Sequence, residues 1–108
     1  MRRGAYVTVA LQADHGKPRP AIIIQNDTLH LPQSVVVCPL TTTINASAEP
    51  LRVTVEPNRR NGLKNQNQIM LDKIASVSRS KVGSVIGHAD AATLRHVTQG
   101  LLVLLKLT

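Results

Sequence analysis

Aromatic side chains are nearly absent from this 108-residue chain, which has no Trp, no Phe and a single Tyr, Tyr6. The core is therefore built from Val, Leu, Ile and Ala, and the β-branched members of that set favour strands. The same lack removes the aromatic platforms on which single-strand binders stack bases, so a bound nucleic acid must be held by Arg, His and backbone groups. Cysteine is scarce too. Cys38 stands alone, which excludes an internal disulfide and a zinc site built on paired cysteines, and suits a reducing cytoplasm. No apolar run reaches the roughly 18 residues of a membrane span, and the opening "MRRGAYVTVAL" is broken by Thr, so neither a membrane helix nor a signal peptide is expected. Acidic residues are few: six Asp and Glu against thirteen Lys and Arg give a formal charge of +7. That excess favours a polyanionic partner, either a nucleic acid or an acidic protein segment.

The length suits one domain, residues 1–108, with a single core. Short strands dominate the pattern. "GAYVTVAL" alternates, "PAIIIQND" and "SVVVCPL" are apolar runs of the kind buried on both faces, and "LRVTVE" alternates as a half-exposed strand. "PNRRNGLKNQ" reads as a basic loop turning at Asn61-Gly62, and "NQIMLDKIASV" as one further strand. "SRSKV" reads as a helical turn capped by Ser78, followed by the short strand "GSVIGHA". Asp90 then caps a helix whose Leu94, Val97, Leu101, Leu104 and Leu105 share one face. Gly100 weakens this helix and is expected at a close contact. Five or six strands and a terminal helix predict a mainly β, α+β fold: a small SH3-like antiparallel barrel with a short helical turn and a C-terminal helix over one end. "GLLVLLKL" is apolar nearly all round, which predicts a subunit interface.

Three local features are chemically informative. In "GKPRPAIIIQND" two prolines hold Lys17 to Pro20 extended, so Arg19 is fixed in place before any ligand arrives. Thr41, Thr42 and Thr43 place three hydroxyls directly after an apolar strand, where they serve turn chemistry or a ligand. Asp72 lies among Met70, Leu71 and Ile74 and needs a cationic partner, which makes it either a structural ion pair or a substrate-contacting acid. The histidines His15, His30, His88 and His96 lack metal-ligand spacing, and neither a metal nor a cofactor is assigned. Only His15 shares a loop with Arg19, a position that would allow proton transfer. No nucleophile or nucleotide motif is present. RNA cleavage by the substrate's own 2′-hydroxyl needs none, only charge stabilisation and proton transfers.

The succession "RRGAYVTVAL", "RPAIIIQND", "VVVCPLTT" and "IMLDKIASVSRSKVGSVIGHAD" resembles the MazF/PemK family of toxin endoribonucleases. The resemblance implies a homodimer that cleaves single-stranded RNA, mRNA for instance, at short sequences without a metal, leaving 2′,3′-cyclic phosphate and 5′-hydroxyl ends. It implies catalytic roles for Arg19 and Thr41 at the scissile phosphate, with Asp72 and His15 as further candidates, and RNA contacts by Lys17, Thr42, Thr43, Arg59, Arg60 and Lys73. Lys73 stands where the family often has glutamine, and the loop from Leu11 to Arg19 is shorter than in many members. Both departures bear on which bases are read. The resemblance also implies an antitoxin whose acidic tail occupies a basic groove, to which Arg52 and Lys64 contribute charge. Two alternatives remain at this level. "LDKIASVSRSKVGSVIG" is similar to the CcdB gyrase poisons, although the chain ends "LLKLT" without their aromatic tail, and a non-catalytic RNA-binding module fits the charge equally well.

Overall fold

A computed structural model describes residues 2–10 and 17–107. Seven strands and one helix follow in the order β1 (Ala5–Ala10), β2 (Pro18–Ile23), β3 (Ser34–Thr41), β4 (Arg52–Val55), β5 (Asn67–Met70), β6 (Ala75–Ser78), β7 (Val82–His88) and α1 (Ala91–Leu104). All strand pairings are antiparallel. The spatial order is β4-β5-β3-β2-β1-β7, with β6 pairing β3 as well. The expected small antiparallel sheet with a C-terminal helix is thus present, and the barrel is a curled sheet whose ladder, among the described residues, is not closed between β4 and β7.

The central strands are apolar on both faces because both faces are covered. Tyr6, Ile22, Cys38, Leu40 and Ile69 point to one side and pack with Val97 of α1, joined by Leu94 and Leu101. Ala5, Val7, Val9, Ala21, Ile23, Val35, Val37 and Val77 form a second cluster on the opposite side. Of the predicted helix face, Leu94, Val97 and Leu101 pack on the core, whereas Leu105 lies past the helix end and is 52% exposed. Asp90 caps α1 as expected, its carboxylate accepting from the Thr93 N–H at 2.8 Å. Gly100 is at a close contact: a Cβ there would lie 2.2 Å from Leu71 Cδ1 and 2.6 Å from the Pro50 carbonyl oxygen.

Two local expectations are corrected. "NQIMLDKIASV" is not one strand but two, separated by a 3₁₀ turn at Leu71–Lys73. Both halves pair with the same strand: Leu40 faces Ile69 and Val37 faces Ala75, so three steps along β3 are matched by six along the other chain. The turn takes up the three extra residues and removes Asp72 from the ladder, so strand alternation does not set its direction. "SRSKV" does form a turn, Arg79–Lys81, but Ser78 makes no side-chain cap to it. Its hydroxyl instead shares a hydrogen bond with Ser80 Oγ at 2.9 Å.

Strand β2 also begins earlier than the apolar run predicts. Arg19 lies inside it, opposite Val9 of β1. Pro18, Pro20 and Pro39 offer no N–H to a neighbouring strand, and pairing between β2 and β3 starts only at Ala21 and Pro39. Arg19 is held on one side by β1 while the β3 side is left unladdered. No helix among the described residues is long and apolar enough to cross a membrane.

Candidate active site

Register defines the site. Ala21 faces Pro39 and Ile23 faces Val37, and beyond that last pair β2 leads to Arg19 and β3 to Thr41. Thr41 in turn faces Gln68 of β5, and Gln68 faces Thr54 of β4. Residues facing one another across a sheet share a side. Thr41, Gln68 and Thr54 therefore form a transverse polar row over three strands, on the face of Val37, while Arg19 lies on the face of Ala21 beyond the last β2–β3 pair.

Where β2 and β3 part, a cleft of about 190 Å³ opens. Val9, Ala21, Val37 and Val77 make an apolar floor, and Arg19 and Lys73 stand at its edges. Two exposed cations beside an apolar surface give the cleft a positive edge that attracts an anion. Lys73 arrives there because the 3₁₀ turn at Leu71–Lys73 joins β5 to β6 beside the middle of β3, between the Leu40–Ile69 and Val37–Ala75 pairs.

Thr41 ends β3, and its Oγ1 accepts the Thr43 N–H at 3.1 Å. With that lone pair engaged, the hydroxyl hydrogen is free to donate outward. Thr42 and Thr43 are exposed in the turn that follows, and Lys17 is exposed just before β2. His15 lies outside the described residues. Asp72 is bound by Arg52 in a two-pronged pair, with Nε to Oδ1 at 2.8 Å and Nη2 to Oδ2 at 3.2 Å. The Arg52 hydrogen bonds hold its carboxyl below the usual carboxylate range. Asp72 is thus an ionised acceptor at neutral pH that fixes the turn carrying Lys73.

Arg59, Arg60 and Lys64 are exposed on the loop between β4 and β5. Arg60 is not brought to the cleft of Arg19. It lines a separate polar cavity of about 180 Å³ with Tyr6, His88 and Asp90, and its Nη2 lies 3.5 Å from the Ala89 carbonyl oxygen. Asn61 organises this loop. Its Oδ1 accepts from the N–H groups of Asn58 and Leu63, each at 3.0 Å, and its Nδ2 donates to the Glu56 carbonyl at 2.8 Å.

Gln68 escapes a reading of the sequence because a polar residue in a short strand ordinarily faces solvent. Here it is fully buried. The available signal is its place two residues before Met70 on the strand side that Thr54 and Thr41 share, which only the register discloses.

The profile of the family described as "PemK-like, MazF-like toxin of type II toxin-antitoxin system" matches residues 2–105. A relative from Mycolicibacterium smegmatis, called probable endoribonuclease MazF, is 37% identical over 106 residues, covering 97% of this chain and 96% of its own length. Among solved structures, the Mycobacterium tuberculosis toxin MazF-mt6 superposes with a TM-score of 0.81 at 23% identity, over 96% of this chain and 98% of that one. A mycobacterial endoribonuclease in complex with its cognate antitoxin gives 0.82 at 24% identity, over 100% and 97%. The MazE-MazF complex of Deinococcus radiodurans gives 0.77 at 22% identity, over 100% and 97%. With its profile matched over almost its whole length, the chain belongs to the PemK-like, MazF-like toxin family of type II toxin-antitoxin systems.

Proposed function

We propose that the protein is a metal-independent, sequence-specific endoribonuclease toxin that cuts single-stranded RNA, with mRNA as its target and translation and growth as what it inhibits. The observation that carries this reading is the cleft beside β2 and β3 that Arg19 and Lys73 line, with Thr41 at the end of β3. The substrate's 2′-oxygen attacks the adjacent phosphorus and the bond to the 5′-oxygen breaks, giving a 2′,3′-cyclic phosphate and a 5′-hydroxyl. One proton leaves the 2′-hydroxyl and one reaches the departing oxygen. Negative charge grows on the phosphoryl oxygens between those events. A planar, always-charged guanidinium fixed by a strand suits that charge, and the outward hydroxyl of Thr41 adds a second donor. Lys17, Thr42, Thr43 and Lys73 hold the strand on either side, and Arg59 and Arg60 add charge without lining the cleft. His15 is the candidate for proton transfer.

Asp72 serves this site by fixing Lys73 and leaves general acid chemistry to another group. The relatives solved with an antitoxin and the charge of +7 support neutralisation by a cognate antitoxin, whose acidic tail would compete with RNA for the same cations. The working form is a homodimer in the cytoplasm.

The test is incubation of the purified protein with a long single-stranded RNA in excess EDTA, beside Arg19→Ala and Thr41→Ala. Discrete cyclic-ended fragments from the wild type, and a loss of about 3 kcal/mol of transition-state stabilisation in each folded variant, are expected. Salt-sensitive binding without turnover would leave an RNA-binding module, and inhibition of supercoiling without RNA cleavage would indicate a gyrase poison.

A further inference from the structure

We propose that Gln68 is a positioning residue that latches the segment after Thr41 and so sets the Thr41 hydroxyl against the substrate. This rests on the endoribonuclease reading of the site above. Gln68 faces Thr41 directly across β3 and β5 and is 0% exposed. Its amide is used at both ends. Oε1 accepts the Asn45 N–H at 3.0 Å, and Nε2 donates to the Asn45 carbonyl at 3.1 Å and to Thr54 Oγ1 at 3.1 Å. One side chain thus replaces a strand partner for Asn45, in a segment of the chain that has no ladder of its own.

Between the two fixed points, Thr41 in the ladder and Asn45 on the latch, only Thr42, Thr43 and Ile44 remain. The Thr43 N–H held by Thr41 Oγ1 belongs to that span, so the rotamer of the Thr41 hydroxyl follows from where the span is pinned. Asn45 passes the restraint on, its Oδ1 accepting from Ser47 N–H at 3.2 Å and Ser47 Oγ at 2.9 Å. An amide is needed for this. A carboxylate in place of Gln68 has no donor for the Asn45 carbonyl, and an apolar side chain leaves the Asn45 N–H unpaired and its carbonyl with the Ala48 N–H alone.

The experiment compares Gln68→Leu, Gln68→Met and Thr54→Val in RNA cleavage with circular dichroism and amide hydrogen exchange. Both Gln68 variants should lower kcat by about a hundredfold, the scale of a misplaced catalytic group, with KM little changed. Thr54→Val removes the third partner but keeps both bonds to Asn45, and its Asn45 amide should stay as protected as in the wild type. In the wild type the Asn45 amide should exchange as slowly as its strand neighbours. In the Gln68 variants it should exchange fast while Ile69 stays protected, which separates an unlatched segment from an unfolded sheet. A wild-type Asn45 amide without protection overturns the proposal even if neither variant folds. So does a folded variant with an unlatched Asn45 and an unchanged kcat. Undiminished cleavage by Arg19→Ala would instead overturn the site reading on which it rests.

Discussion

Tyr6 shows how a single residue reports on the interior. It is the only tyrosine, it is fully buried, and its hydroxyl has no hydrogen-bond partner within the described residues. Burial, with the Asp90 carboxylate adding to it, pushes the phenol up to about 12. A folded-state value above the unfolded one means that stability is fully present below about pH 10 and is lost as the pH rises toward 12. An absorbance titration of the native protein should therefore show no tyrosinate until near pH 12, whereas the urea-unfolded chain should titrate near 10. A native midpoint at the unfolded value would contradict the burial. Arg19 invites the complementary experiment. Arg19→Lys keeps the charge but loses the planar fork, so it should retain RNA binding and recover only a small part of the cleavage rate.

Among the elements, prolines and one 3₁₀ turn shape the site more than any strand does. Pro18, Pro20 and Pro39 keep β2 and β3 apart beyond Ala21, which opens the cleft, and the turn at Leu71–Lys73 absorbs three residues and delivers Lys73 to it. That turn is clamped from two sides, by the Arg52 pair with Asp72 and by α1, where Gly100 admits Leu71. In an exposed helix Gly100→Ala would add about 1 kcal/mol of stability. Here the new methyl meets Leu71 and the Pro50 carbonyl, and overpacking costs about 1–3 kcal/mol. Thermal unfolding of Gly100→Ala should thus show a lower Tm, and a rise would mean that α1 does not press on the turn.

For the molecule as a whole, charge and exposed apolar surface point to its partners. Thirteen cationic residues against six acidic ones predict that RNA affinity falls steeply with salt. Val103, Leu105 and Leu107 are 55%, 52% and 66% exposed, clustered at the end of α1 where a second copy would cover them. Light scattering at micromolar concentration should give a dimer, and Leu105→Asp with Leu107→Asp should give a folded monomer. A monomeric wild type would contradict that interface.

Local chemistry wrote a good part of this into the chain. Alternation in "AYVTVA" and "RVTV" gave strands, Asp90 gave the start of α1, and Gly100 its close contact, because each depends on residues a few positions apart. The Arg-Pro and Pro-Leu-Thr segments drew attention to Arg19 and Thr41. What lay beyond reach was register. The split of "NQIMLDKIASV" follows from two strands sharing one edge of β3, the pairing of Asp72 with Arg52 joins positions 20 residues apart, and Arg60 falls in another cavity than Arg19. Gln68 becomes a latch only because Thr41, Thr54 and Asn45 meet around it. Propensity and periodicity act over one turn or one strand, whereas strand neighbours are chosen by the burial of both faces at once, and that choice is made by the folded chain.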